Sequence, residues 1–415
     1  MKFLHCADVH LDSPMRGLPR GEWTPSDRLR GATRRALARL VDLALEEAVE
    51  LVVVAGDLYD GDRDDYNTAV FLQRQLHRLR DAGVPVAVAL GNHDAASEIT
   101  RRLRLPDSVH VFPTDGPGSL EIEGAGVVLH GQSYPTRAVV DDLSARYPKP
   151  VPGALNVGVL HTALDGRPGH DPYAPCTLDG LVRRGYEYWA LGHVHSREHS
   201  VREGVHVLFP GNLQGRHANE SGPKGATVVR YEGDAVVSVE PRELAPVRFE
   251  RVQLDSSQSK TVDEALEDAV TACERLPSSR VTELVAARVV LLVSPAVCDE
   301  WSRDRERLEA QIRVDACGGG EELWLERVEV RAVRGDRRTA PDDALEAVTA
   351  AFEAIRSDPS RRAELMGALA SLRGRIGAEA DALRALRTTV LDEEGTDELL
   401  LQCEALLLAA LGGGS

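Results

Sequence analysis

Short, almost continuous apolar runs alternate with abrupt polar turns over about the first 240 residues of the chain. Several runs are apolar on both faces, which is typical of strands that are covered by other layers on two sides. Strands that alternate with helices predict a layered α/β domain. The predicted strands cover residues 2–7, 51–55, 84–90, 127–130, 157–160, 188–191 and 205–209.

Two amphipathic helices are predicted between the first three strands. The first is about 24 residues long, begins at Pro25, Ser26 and Asp27, and carries a stripe of leucine, valine and alanine. The second covers residues 66–82 and ends at Gly83, since glycine is favoured just beyond a helix C-terminus. Both helices therefore belong to the layers that cover the strands.

The hydrophobic pattern changes near residue 244. The following stretch reads β-α-β-α-β, with strands at 247–254, 284–293 and 323–333 and helices at 262–276 and 299–314. It predicts a small separate α/β module, followed by a linker at 334–338. The remainder is helical and acidic, and its last apolar stripe, 397–411, must pack on its own domain or on a partner. The predicted domains are 1–243, 244–335 and 341–415.

The composition is that of a soluble globular protein, with 43% hydrophobic and 28% charged residues. No apolar run approaches the ~20 residues that a membrane helix needs, and Asp8 interrupts the N-terminal run too early for a signal peptide. The six cysteines are scattered without a C-x-x-C pair, which argues against a disulfide framework or a zinc ribbon. We therefore expect a protein of the reducing cytoplasm with no membrane segment.

The net charge of −17 argues against a protein that coats DNA over its whole surface, but leaves room for a local basic patch. An arginine-rich stretch near the N-terminus is a candidate. It is either a DNA-contacting surface or a solvated helix face, and the sequence alone leaves both interpretations open. Its members are Arg16, Arg20, Arg28, Arg30, Arg34, Arg35 and Arg39.

Five of the junctions between a predicted strand and its turn end in residues that bind metals. Residues two apart in an extended stretch point to the same side, so the D-x-H and H-x-H pairs can each face one site. Mixed carboxylate, amide and imidazole ligands suit Mn²⁺ or Fe²⁺. Seven donors exceed what one ion takes, but fill two ions about 3.5–4 Å apart if one aspartate bridges them. The donors are Asp8, His10, Asp57, Asn92, His161, His193 and His195.

The ordered series D-x-H, GD, GNHD, H and GHxH resembles the calcineurin-like metallophosphoesterase superfamily over roughly residues 1–240. The stretches MKFLHCADVHLDSPMRGL, GDLYD and PGNLQGRH further resemble the YhaO-like branch of the SbcD-type DNA repair exonucleases. The resemblance implies a four-layer fold, in which two packed mixed sheets are flanked by helices and the site lies at the strand ends.

The same resemblance implies a role for each donor and for the GNHD motif. One metal takes Asp8, His10 and His195, the other takes Asn92, His161 and His193, and Asp57 bridges them. His93 protonates or stabilises the leaving oxygen, and Asp94 orients its ring. The implied cofactors are two Mn²⁺, with Fe²⁺ or Mg²⁺ as alternatives, and a metal-bridged hydroxide hydrolyses the phosphodiester bond.

Four further residues in the quoted stretches are expected to contact substrate: Arg16, Asp60, Arg216 and His217. Asp60 departs from the SbcD-type pattern, which often has a histidine three residues after the bridging aspartate. In this family the module at 244–335 is a capping domain that helps to select DNA.

The implied partners are DNA, an SbcC/YhaN-like coiled-coil ABC-type ATPase that docks on the C-terminal helices, and a second copy of the chain. The sequence has no G-x-x-x-x-G-K-[ST] motif, so any ATP dependence must come from another subunit. The leading hypothesis is a Mn²⁺-dependent DNA exonuclease or endonuclease. A phosphoesterase for small nucleotides or phosphoproteins, and a non-catalytic scaffold for an ATPase, are the competing hypotheses.

Overall fold

A computed structural model of the chain describes residues 1–15, 24–60, 66–96, 105–165, 173–276, 279–317, 322–333, 342–358 and 361. Residues 1–332 form one compact unit and residues 333–415 a second one. The predicted border near residue 244 therefore runs inside the first unit. In the second unit the helix Asp342–Ser357 is described, whereas the predicted linker and the stripe at 397–411 lie outside the described residues.

Twelve strands are described in the first 243 residues, and they form two six-stranded sheets. The strands are β1 (Lys2–Cys6), β2 (Leu51–Ala55), β3 (Val86–Ala89), β4 (Val109–Val111), β5 (Gly118–Ile122), β6 (Val127–Gly131), β7 (Leu155–His161), β8 (Tyr188–Gly192), β9 (Glu198–Arg202), β10 (Val205–Phe209), β11 (Gly225–Glu232) and β12 (Ala235–Glu243).

Each sheet is mixed, with parallel strands at its centre. The first has the order β12-β11-β1-β2-β3-β4, in which β1 to β4 are parallel to one another, β11 is antiparallel to β1, and β12 is antiparallel to β11. The second has the order β5-β6-β7-β8-β10-β9, with antiparallel strands at both edges. The carboxyl ends of β1, β2 and β3 therefore lie at one end of the first sheet. Those of β7 and β8 lie together at one end of the second sheet.

The two sheets pack face to face, and helices cover their outer faces. Phe3 and Val53 of the first sheet and Val157 of the second share one buried cluster. The alternate residues Leu4 and Val52 point away from it, toward the helices. Both faces of each central strand are thus buried, which is why the runs are continuously apolar. The predicted four-layer α/β architecture is confirmed.

The helices of this part are α1 (Ser26–Leu29), α2 (Ala32–Glu46), α3 (Tyr66–Asp81), α4 (Asn92–Ala96) and α5 (Leu178–Val182), with a 3-10 turn at Leu143–Arg146. The prediction of one helix of about 24 residues is wrong. Gly31 has a φ of +66°, a left-handed conformation that ends α1 and lets α2 begin in a new direction. Among the described helices, none combines the length and apolar character that crossing a membrane requires.

The module after residue 244 contains the parallel strands β13 (Val247–Ser256), β14 (Leu284–Val293) and β15 (Leu323–Ala332). Three helices pack on one face of this sheet: α6 (Val262–Glu274), α7 (Pro295–Arg303) and α8 (Arg305–Cys317). The predicted β-α-β-α-β order holds, but the second predicted helix is two helices separated at Asp304. On the other face, Val247 and Phe249 pack against Leu29 and Ala218 of the two-sheet part.

A buried ion pair joins β14 to β15. Arg288 donates from Nε and Nη2 to both carboxylate oxygens of Glu326, at 2.7 and 2.8 Å. We expect Glu326→Ala to lower the free energy of unfolding of the module by about 3–5 kcal/mol, because it leaves a largely buried guanidinium without its main counter-charge. Urea denaturation, followed by the fluorescence of Trp301 and Trp324, measures the effect.

The matched control is Glu322→Ala, since Glu322 is an exposed glutamate next to the same strand. A second control, the double variant Arg288→Met with Glu326→Leu, replaces the pair by apolar side chains and should be close to neutral. A Glu326→Ala variant that unfolds at the same urea concentration as the Glu322→Ala control would contradict the expectation.

Candidate metal centre

The five predicted junctions meet where β1, β2, β3, β7 and β8 end. The backbone there is unusual, because Asp8, His10, Asp57 and His193 have φ values of 50°, 44°, 53° and 104°. Residues other than glycine rarely adopt this left-handed region, and such strain concentrates at functional sites. The backbone geometry alone therefore marks this edge of the sandwich as a candidate site.

Glycine is required before the donors because the sheets approach each other closely here. A side chain on Gly56 would overlap the ring of His161, and one on Gly91 would overlap the carboxylate of Asp57. A side chain on Gly192 would overlap the backbone of β2. The glycines thus make room for the donors of neighbouring strands.

Asp8, His10 and His195 form one group of donors, with ligand atoms within 4.8 Å of one another. The two histidine Nε2 atoms are 3.2 Å apart, and Nε2 of His195 is 3.8 Å from Asp8 Oδ1. Burial lowers the pKa of both histidines, so both rings are neutral and offer a lone pair. This group matches the first of the two predicted ligand sets.

His161 is the centre of the second group. Its Nδ1 donates to the carbonyl of Ala55 at 3.0 Å, which leaves the lone pair on Nε2. That atom is 3.0 Å from Asn92 Oδ1 and 3.4 Å from Asp57 Oδ2. Burial lowers the pKa of His161 to about 3, so this ring is neutral too. His193 lies beside this group, with its ring centroid 5.2 Å from that of His161.

Asp57 lies between the two groups. Its Oδ2 atom is 3.4 Å from Nε2 of His161 and 3.8 Å from Nε2 of His10. Burial and the Asp57 carboxylate raise the pKa of Asp8 well above its usual range. Two buried carboxylates so close together, surrounded by neutral imidazoles, fit a pair of divalent cations, because the cations would offset the repulsion.

The predicted partner of the His93 ring is wrong. The carboxylate of Asp94 accepts backbone N–H groups of Leu58, Tyr59 and Gly91, at 3.0–3.1 Å, and so holds the loop after β2. The carboxylate that contacts the His93 ring is that of Asp60, whose Oδ1 is 3.1 Å from Nδ1 of His93.

The His93–Asp60 pair shifts the pKa of His93. Burial alone would lower the pKa of His93, but the nearby carboxylates of Asp60 and Asp57 outweigh it and raise that pKa. The His93 side chain is 29% exposed, so it borders the donors on their open side. It therefore places an imidazole, paired with the carboxylate of Asp60, next to the candidate metal centre.

Of the four predicted substrate contacts, Arg16 lies outside the described residues, and Arg216 lies beside His195, with Nη2 3.3 Å from its Nδ1. Arg216 is 14% exposed, with Nη1 3.5 Å from Asp60 Oδ1. The side chain of His217 is 37% exposed. Asp60 itself is 7% exposed and contacts Ser13, His10 and His93. It is therefore placed to hold other side chains rather than to meet substrate directly.

Glu220 was not predicted, although it contacts the site directly. Its Oε1 accepts the Nδ1–H of His195 at 2.7 Å. The residue lies in a loop and belongs to none of the metal-binding motifs of the sequence. The contact depends on the path of that loop between two parts of the fold, which the local sequence does not reveal.

Three described residues of the arginine-rich stretch form ion pairs within the protein, whereas Arg16 and Arg20 lie outside the described residues. Arg35 and Arg39 both contact the carboxylate of Glu283, at 3.2 and 2.6 Å, and so tie α2 to the module. Arg34 donates to both oxygens of Asp12 from Nε, at 2.7 and 2.9 Å. For these three residues, the ion pairs argue against a free DNA-binding surface.

Comparison with known proteins agrees with this geometry. Residues 1–197 match the calcineurin-like phosphoesterase family, and residues 249–333 match the middle domain of the metallophosphoesterase YhaO. The chain is 35% identical to an uncharacterized metallophosphoesterase, YhaO, of Bacillus subtilis, over 63% of this chain and 65% of that protein.

Archaeal proteins are also similar. The DNA double-strand break repair protein Mre11 of Methanopyrus kandleri is 29% identical over 51% of this chain and 48% of its own length. Mre11 of Sulfurisphaera tokodaii is 24% identical over 56% of this chain and 60% of its own length. The chain thus spans less than two thirds of the length of these relatives.

Proposed function

Since residues 1–197 match the calcineurin-like phosphoesterase family and residues 249–333 match the YhaO middle domain, we propose that this protein is a metallophosphoesterase that acts as a Mn²⁺-dependent DNA nuclease. It would hydrolyse phosphodiester bonds, as an exonuclease or an endonuclease, in DNA repair or end processing. The observation that carries the proposal is the Asp57 carboxylate between two groups of donors, with the His93–Asp60 pair on their open side.

The proposed ligands divide into two sets around Asp57. Asp8, His10 and His195 would hold one ion, and Asn92, His161 and His193 the other. The mixed oxygen and nitrogen donors favour Mn²⁺, with Fe²⁺ or Mg²⁺ as alternatives. When bound, such a pair supplies Lewis-acid stabilisation of the phosphate oxygens and lowers the pKa of a water molecule.

His93 would act as the general acid. Its Nδ1–H faces Asp60 at 3.1 Å, so Nε2 carries the second proton of the imidazolium. That proton would pass to the leaving oxygen as the bond from phosphorus to that oxygen breaks. Asp60 keeps the ring in the required orientation and stabilises its charge.

Asp60 stands where SbcD-type nucleases often have a histidine, and the replacement has a compensating contact. A carboxylate here lies 3.5 Å from Nη1 of Arg216, so it holds a guanidinium near the site. Arg216 would bind a non-bridging phosphate oxygen, which guanidinium groups recognise well. Arg216 would thus supply the positive charge that a histidine would bring.

Support for DNA as substrate comes from two sides. The similar archaeal proteins are described as DNA double-strand break repair proteins. In addition, β13 of the module packs against the loop that carries Arg216 and His217, so a long substrate at the site would border the module. We further propose a cytoplasmic homodimer that works with an SbcC/YhaN-like coiled-coil ATPase.

The test is a cleavage assay in Mn²⁺ on open-ended, end-blocked, circular and single-stranded DNA, with and without a co-expressed ATPase of this type. We expect cleavage of at least one DNA form. Parallel reactions with a cyclic dinucleotide and a phosphoprotein address the competing enzyme class. Hydrolysis of these substrates with no cleavage of any DNA form would overturn the nuclease proposal.

The metal content separates an enzyme from a scaffold. We expect purified protein to hold about two Mn²⁺ per chain after loading, because the donors supply two ligand sets. Metal analysis after dialysis measures the ratio, and a chelator should remove both the ions and the activity. A chain that takes up no ions would favour the non-catalytic scaffold.

A further inference from the structure

A loop of residues 211–224, here called the bridging loop, lies between the candidate metal centre and the module. On the side of the metal centre it holds His195 at two points. Glu220 Oε1 accepts the Nδ1–H of the ring at 2.7 Å, and Lys224 Nζ donates to the backbone carbonyl at 2.6 Å. The first contact leaves the lone pair of His195 on Nε2, the atom that faces Asp8 and His10.

Glu220 is itself held firmly. Its Oε2 accepts from the backbone N–H of Arg216 at 2.6 Å and from Nδ2 of Asn212 at 2.9 Å. The side chain is 7% exposed. Glu220 is therefore a fixed acceptor.

On its other side the bridging loop is bonded to the first strand of the module. The amide of Gln214 donates to the carbonyl of Val247 at 2.7 Å and accepts from its N–H at 3.2 Å. The backbone N–H of Gly222 donates to the carbonyl of Phe249 at 2.9 Å. These contacts fix the loop on both sides of Glu220 to β13.

We propose that Glu220 is a positioning residue for His195, and that the module holds Glu220 in place through the bridging loop. A carboxylate that accepts the second N–H of a metal-binding histidine fixes the ring and its tautomer and makes the ligand more basic. The affinity of the metal position formed by Asp8, His10 and His195 then depends on β13. The inference rests on the ligand sets of the proposed function.

The first test is a Mn²⁺ titration followed by electron paramagnetic resonance. We expect Glu220→Ala to weaken one of the two Mn²⁺ sites by about 10–100-fold and to leave the other unchanged. Glu220→Gln keeps an acceptor of the same size, so its effect should be smaller. Glu232→Ala, at an exposed glutamate of β11, is the matched control and should bind as the wild type does. Unchanged binding in Glu220→Ala would overturn the proposal.

The second test is spectroscopic and uses metal-free protein labelled with ¹⁵N-histidine. The wild type should show His195 protonated at Nδ1, and Glu220→Ala should shift it toward the tautomer protonated at Nε2. A wild-type ring that is protonated at Nε2 would overturn the proposal. Because neither test involves hydrolysis, a wild type that binds two Mn²⁺ but cleaves no DNA overturns the proposed function and leaves this inference standing.

The role of the module is tested by Gln214→Ala, which removes the contact with Val247 without touching Glu220. We expect the same Mn²⁺ site to weaken, by less than in Glu220→Ala, in a variant that is still folded at the temperature of the titration. If Gln214→Ala binds Mn²⁺ as the wild type does while Glu220→Ala is impaired, the dependence on the module is overturned.

Discussion

Replacing Asp57 with asparagine should reduce DNA cleavage by more than about 100-fold, since the loss of a metal ligand exceeds the ~10–100-fold cost of losing a residue that only supports one. In the wild type, Asp57 Oδ1 accepts the N–H of His93 at 3.0 Å, while Oδ2 faces His10 and His161. The amide oxygen of an asparagine would keep the bond to His93. Its NH₂ group would then occupy the position of Oδ2, where it offers no lone pair to a cation.

The measurement is the cleavage of end-labelled linear DNA in Mn²⁺, together with the number of ions bound per chain. We expect Asp57→Asn to lose at least one of the two ions. Asp42→Asn is the control, because the side chain of Asp42 on α2 is 48% exposed and contacts Arg78. If Asp57→Asn cleaves DNA at the wild-type rate, the assignment of Asp57 as the bridging ligand is wrong.

His93→Ala should lower the rate of DNA cleavage by roughly 10²–10⁴-fold, the usual contribution of a general acid. The DNA leaving group is an alkoxide, which needs a proton, whereas a nitrophenolate leaves without one. We therefore expect a much smaller loss with a nitrophenyl phosphodiester. The variant should still bind two Mn²⁺, because His93 belongs to neither proposed ligand set.

Comparing the two substrates separates a missing proton donor from a damaged site. His77→Ala, at an exposed position of α3, is the control for a general effect of losing a histidine. An equal loss with DNA and with the nitrophenyl ester would show that His93 does not act by protonating the leaving group.

Most of the central strands were predictable because they depend on local sequence, although β11, which pairs with β1 and is largely buried, was not predicted. A strand buried on both faces needs a continuous apolar run, and β2 and β10 coincide with their predicted ranges. The edge strands β9 and β12 were not predicted, because much of each is exposed and lacks such a run. Edge strands are stabilised by their neighbours, which the local pattern does not contain.

The contacts that were predicted wrongly or not at all join residues that are far apart in the sequence. Asp94 is next to His93 in sequence, yet Asp60 contacts the ring. The Glu220 contact with His195 also joins distant loops. The charge pattern of a helix likewise does not reveal which residues its arginines will contact. Arg39 of α2 forms an ion pair with Glu283 of the module. Sequence motifs thus predicted the side chains that the fold brings together, whereas the contacts that orient them required the fold.

The bridging loop also determines where the protein can be dissected. A fragment that ends at residue 243 would keep every proposed metal ligand and look complete by its motifs. It would lack β13, however, and so would lose the partner of Gln214 and expose Leu29 and Ala218, which pack against Val247. The shortest fragment that keeps these contacts, for structural or biochemical work, therefore extends through β15, to residue 332.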